Sequence, residues 1–71
     1  MKIQANVRIY KTIEMEVDEK FRKLDGWHDI SNKEEVDLRW ELEKIILEAN
    51  ADYDEVDCVW ADDTEEMLLE N

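Results

Sequence analysis

Odd-numbered positions from Ile3 to Val17 read Ile3, Ala5, Val7, Ile9, Lys11, Ile13, Met15 and Val17, while the even ones are polar apart from Tyr10. A period of two is the mark of a half-buried strand. Fifteen residues at about 3.3 Å each would reach about 50 Å, too far for so short a chain. The pattern therefore predicts a strand near 2–17 with a bend or bulge at Tyr10 and Lys11, where the alternation has its one fault.

Val17, Phe21 and Leu24 then recur at i, i+4 and i+7, with Asp18 placed as an N-cap and Gly26 as the residue after the helix. This predicts a helix of about two turns. From Asp25 to Ile30 neither period holds, so the segment reads as a loop that Trp27 pins to the core. Ser31-Asn32-Lys33-Glu34 matches a capping box, and Glu34, Glu35 and Asp37 suit the positive end of a helix dipole. The main helix is expected over about 32–49, with Asn50 as a left-handed cap. Beyond it, Val56, Cys58 and Trp60 alternate with Glu55, Asp57, Val59 and Ala61 as a strand near 55–61. Ala61-Asp62-Asp63-Thr64 reads as a turn, and a strand near 65–70 returns with Met67 and Leu69, or else Leu68, facing inward.

The order is β-α-α-β-β. The fold class expected is α+β, a small three-stranded, mainly antiparallel sheet with one face covered by two helices, in a single domain over 1–71. Ile9, Ile13, Leu42, Ile45, Val56 and Trp60 are the expected core.

Charge changes this picture most. The 71 residues carry 21 Asp and Glu against 9 Lys and Arg, a formal net charge of −12. The imbalance is local: residues 45–71 hold 10 acidic side chains and no basic one. Because Val56, Val59, Trp60, Leu68 and Leu69 interleave with these acids, the segment reads as a packed acidic hairpin, not a disordered tail. Affinity for a phosphate backbone comes mostly from Lys and Arg displacing counterions, so direct nucleic-acid binding is disfavoured and none is expected. A compact acidic body instead complements a strongly basic protein, and basic protein clefts are commonly nucleic-acid channels. The same acidity also keeps a small domain soluble, which is the plainer account.

Little else offers chemistry. His28 is the sole imidazole, set beside Asp29 in the predicted loop, and Cys58 alternates with Val56 and Trp60 as a small core residue would. No enzyme and no cofactor are expected. Asp52, Asp54, Glu55 and Asp57 offer carboxylate oxygens to a hard cation, but an EF-hand loop begun at Asp52 would need Gly at its sixth position and Glu at its twelfth, where Asp57 and Asp63 stand. No metal site is expected. There is no apolar run long enough for a membrane span and no signal-peptide block, and the single cysteine fits a reducing compartment, so a cytoplasmic location is expected.

On the helical wheel Leu38, Leu42, Ile45, Ile46 and Ala49 cluster on one side, whereas Val36, Trp40 and Leu47 fall nearly opposite. Two apolar stripes need two things to bury them. Either the first helix, through Phe21, Leu24 or Trp27, covers the second stripe, or that stripe is a partner-binding or homodimer surface with Trp40 as its anchor.

Residues 11–21, Lys-Thr-Ile-Glu-Met-Glu-Val-Asp-Glu-Lys-Phe, resemble the opening of short acidic proteins found in bacterial and prophage sequences. In size, single-domain build and acidity the chain is similar to phage and mobile-element inhibitors that mimic nucleic acid, among them many anti-CRISPR proteins. The resemblance implies a small acidic inhibitor, working in the bacterial host cell, that blocks a basic nucleic-acid-handling enzyme such as a CRISPR effector nuclease. The carboxylates expected to stand in for phosphates are Asp52, Asp54, Glu55, Asp57, Asp62, Asp63, Glu65 and Glu66. The alternative is an interaction or oligomerisation module working through Val36, Trp40 and Leu47.

Overall fold

The computed structural model describes residues 1–7, 11–26, 31–50 and 55–71. Among them run β1 (Lys2–Val7), β2 (Lys11–Glu16), one short 3-10 helix (Glu19–Lys23), α1 (Lys33–Ala49), β3 (Val56–Ala61) and β4 (Met67–Glu70). The strands form one antiparallel sheet in the order β2-β1-β3-β4. The α+β class stands, but among the described residues four strands and one α-helix replace the expected three strands and two helices.

The extra strand comes from the long N-terminal pattern, which is a hairpin and not one bent strand. Val7 pairs with Lys11 and Lys2 with Glu16, so every odd residue of β1 faces an odd residue of β2. The alternation thus passes through the reversal without a change of phase. Tyr10 and Ile9, on which the expected bend and one core position fell, lie outside the described residues, as do Trp27, His28, Asp29, Asp52 and Asp54.

The expected first helix is a single 3-10 turn. Asp18 caps it as expected, its carboxylate accepting from the Lys20 N–H at 2.8 Å. A 3-10 turn sets i and i+3 on one side, and Phe21 and Leu24 reach the core at that spacing. Gly26 has φ +81° but does not close a helix; its N–H donates to the Leu68 carbonyl on β4 at 3.1 Å.

Asn32, not Ser31, caps α1, its side-chain oxygen accepting from the Glu35 N–H. At the other end Asn50 is not left-handed (φ −134°); it caps through its side chain, which donates to the Ile46 carbonyl at 2.8 Å. The buried stripe centres on Leu42 and Ile46, while Leu38, Ile45 and Leu47 pack half-buried at its margins and Ala49 is exposed.

Two bulges reset the C-terminal strands. The β1–β3 register shifts between Asn6 and Val7, leaving Asp57 without a partner on β1. Val56, Val59 and Ala61 therefore face α1 and are buried, whereas Cys58 and Trp60 turn to the opposite face and are half-buried. Trp60 is not the core residue that strict alternation predicts, and Ile13 and Ile45 are also only half-buried. A second shift, between Val59 and Trp60, leaves Leu68 as the extra residue of β4, so that Leu68 and Leu69 are buried in succession. The core lies on one side of the sheet, under α1 and the 3-10 turn. The other side is open among the described residues.

Candidate functional site

The β3–β4 turn holds four of the expected carboxylates, and local hydrogen bonds fix its shape. The Glu65 N–H donates to the Ala61 carbonyl at 2.8 Å, and the Ala61 N–H donates to the Glu66 carbonyl at 2.9 Å. Glu65 adopts φ +61°, and the Glu66 N–H donates to Thr64 Oγ1. The turn is also tied to the rest of the protein. The Asp62 N–H donates to the Lys2 carbonyl at 3.0 Å, and Gln4 Nε2 donates to Asp62 Oδ1 at 2.9 Å.

Arg22, carried by the 3-10 turn, grips Asp63 with both terminal nitrogens at 3.2 and 2.6 Å and turns its Nε to Glu19 at 2.5 Å. Bidentate geometry of this kind is the strongest form of the pairing. The hydrogen bonds from Arg22 hold the Asp63 carboxyl below the ordinary carboxylate range, while those to Asp63 and then Glu19 raise the guanidinium further still. Across the open face Lys2 meets Glu14 at 2.6 Å, and this contact raises its ammonium above the usual lysine value. The Met1 amine lies 3.5 Å from Glu16 and 4.0 Å from Glu19.

One end of the sheet thus gathers Glu14, Glu16, Glu19, Asp62 and Asp63 around Lys2, Arg22 and the Met1 amine, with Glu65 and Glu66 beside them. Glu65 and Glu66 are exposed and form no ion pair among the described residues. Among the described residues, seven carboxylates against three cationic groups leave a surplus of negative charge around a hydrogen-bonded turn. Linear charge counting does not single out Glu14, Glu16 and Glu19, because residues 1–44 are nearly neutral in sum. Once the N-terminal pattern is folded into a hairpin, Glu14 and Glu16 fall beside Lys2 and the turn.

The other expected carboxylates are elsewhere. Glu55 precedes β3 and Asp57 is its bulge residue, so the length of β3, roughly 15 to 20 Å, separates them from the turn. Asp52 and Asp54 lie outside the described residues, and with them the expected cation-attracting cluster. Among the described residues no three His, Cys, Asp or Glu side chains are placed to hold a metal ion.

The helix stripe divides. Trp40 is 71% exposed, over a shallow apolar depression with Leu47, Lys44 and Glu48. Val36 is half-buried, and Leu47 packs in part against the core. Phe21 and Leu24 are buried with the sheet and do not cover Trp40. Among the described residues no helix is long and apolar enough to cross a membrane.

Comparison with protein-family models, with curated proteins and with solved structures returns no match.

Proposed function

We propose that this protein is a small acidic inhibitor, acting in the cytoplasm of a bacterial host cell, that seats the acidic end of its sheet in the basic cleft of a nucleic-acid-handling protein. Its carboxylates take the place of phosphates there. A CRISPR effector nuclease is the first partner to test. The observation that carries the reading is the convergence of acids from three separated segments, β2, the 3-10 turn and the β3–β4 turn, at one end of the sheet. Arg22 on Asp63 supplies an internal example of the grip a partner arginine would take.

The working residues under this reading are Glu65, Glu66 and Asp62, with Glu14 and Glu16 beside them. Asp63 is a poor target for charge reversal, since a lysine there would face Arg22. The decisive variant is Glu65→Lys with Glu66→Lys, which touches no internal ion pair among the described residues. Inhibition of DNA cleavage by a purified effector nuclease should fall by about tenfold or more in this variant and weaken steeply with salt. A complex that tolerates the reversal, persists in about 0.5 M salt and ignores competing DNA would rule out charge mimicry.

The second reading, an interaction or homo-oligomerisation module, is favoured by Trp40 alone, since a tryptophan 71% exposed on a helix is a typical interface anchor. Under it Trp40→Ala would remove about 2 kcal/mol or more of binding, and Glu65→Lys with Glu66→Lys would matter little.

A further inference from the structure

The ladder between β1 and β2 determines which backbone groups of β2 are free. The Val17 N–H donates to the Met1 carbonyl at 2.9 Å, and the Met1 amine donates to the Val17 carbonyl at 2.7 Å, so these two residues exchange both bonds. In an antiparallel pair such exchanges fall on every second residue. With the observed register, Ile3–Met15, Ala5–Ile13 and Val7–Lys11 are the other exchanging pairs. The N–H and C=O groups of Thr12, Glu14 and Glu16 consequently point away from β1. β2 is the outer strand of the sheet, six residues long and without a bulge. Among the described residues no backbone group bonds to the N–H or C=O of Thr12, Glu14 or Glu16 on that edge.

We infer that β2 accepts an extended segment of the basic partner as a fifth strand, one in which lysine or arginine alternates with apolar residues. The inference rests on the proposal that the partner is basic, and it names the segment recognised. Each side chain of the edge dictates its neighbour. Glu14 and Glu16 stand on the open face of the sheet and call for a cation beside them. Ile13 and Met15 stand on the core side, half-buried with no strand beyond them among the described residues, and call for an apolar neighbour. A second copy of this chain is the wrong occupant. Two β2 strands paired antiparallel about Glu14 would set Glu14 against Glu14, and like charges directly opposite are destabilising. The acidic edge repels its own kind while remaining open to a basic strand.

The test uses the intact protein, labelled with nitrogen-15, and a blocked decapeptide that alternates valine with lysine or arginine. Three further peptides serve as comparisons: the same sequence N-methylated at alternate residues, a valine–threonine alternate, and oligo-lysine. The first peptide should shift the amides of Thr12, Glu14 and Glu16 and slow their hydrogen exchange. N-methylation on the bonding edge should weaken binding by about tenfold or more. Glu14→Pro should do the same, because its N–H points outward and edge strands tolerate proline there, while Glu14→Gln should weaken binding only a few-fold. If the N-methylated peptide binds as well as the first and all shifts fall at 62–66, strand addition is overturned while the acidic-end reading survives. Equal binding of the valine–threonine peptide overturns the requirement for a basic segment. Silence from all four peptides, oligo-lysine included, overturns both readings.

Discussion

The two edges of this sheet are finished by different means. β4 is four residues long, carries the extra residue Leu68, and receives the Gly26 N–H on its Leu68 carbonyl. Just beyond it, Asn71 donates from its backbone to the Asp57 carbonyl and from its side chain to the Val56 carbonyl and Glu43, while accepting from Arg39. β2 has none of these devices among the described residues; it is regular and fringed with carboxylates. An exposed strand edge invites pairing with another chain, and proteins block it with bulges, covering loops or charge. Among the described residues one edge is closed by geometry and the other is guarded by charge. A guard of charge discriminates, since it repels acidic strands and admits basic ones.

The closed side depends on the two bulges for its inward faces. Val59 is fully buried and Cys58 sits half-buried on the open face. Val59→Ser should therefore cost about 2 to 4 kcal/mol, through lost packing and a hydroxyl left in the core. Cys58→Ser should cost less than about 1 kcal/mol. Urea denaturation of the two variants reads both numbers. Equal costs, or the reverse order, would mean that the alternation of β3 runs unbroken and the bulge at Asp57 is absent.

A smaller effect tests the seal itself. Gly26 lies at φ +81°, and a Cβ there would stand 3.0 Å from Met67 Cγ and 3.2 Å from the Met67 carbonyl oxygen. Gly26→Ala meets both backbone strain and backbone contact, so about 1 to 2 kcal/mol should be lost. The loss should be accompanied by faster exchange of the residue 26 amide, whose bond to Leu68 would be weakened. An unchanged exchange rate would show that the β4 edge does not depend on this residue.

The same two edges explain what a linear reading recovers. Charges, caps at Asp18 and around residue 32, the main helix and both C-terminal strands follow from local pattern, because each is set by residues near in sequence. The hairpin of β1 and β2 stays hidden since its register pairs odd with odd and so imitates one strand, without Gly or Pro to mark the reversal. The faces of β3 and β4 stay hidden for the opposite reason: bulges break the phase, and nothing in Val-Asp-Cys-Val-Trp-Ala announces them. The candidate site suffers from the first error. Glu14 and Glu16 reach the acidic turn only after the hairpin is closed, whereas Asp62 to Glu66 are visible as a charged turn from the start.

The finest test concerns the clasp of Arg22 on Asp63, which fastens the 3-10 turn to the closed side. Because the clasp holds the Asp63 carboxyl below its ordinary value of 3.8, its stabilisation is complete above that pH and is lost as the pH falls through the lower folded value. The rest of the molecule responds with the opposite sign, since protonating unpaired carboxylates relieves the repulsion of a −12 chain and favours folding as the medium is acidified. The two trends separate when native protein is compared with Arg22→Gln. Melting temperatures should differ at neutral pH by less than for Val59→Ser or Gly26→Ala, and the gap should begin to narrow below about pH 3.8, where Asp63 is protonated in the unfolded chain, and close once the pH lies below the lower folded value. Arg22→Lys should fall between them, as it keeps the charge but not the two-pronged grip. A gap that stays constant down to pH 2 would show that Arg22 acts through packing of its stem, and that the closed side of the sheet is held without the clasp.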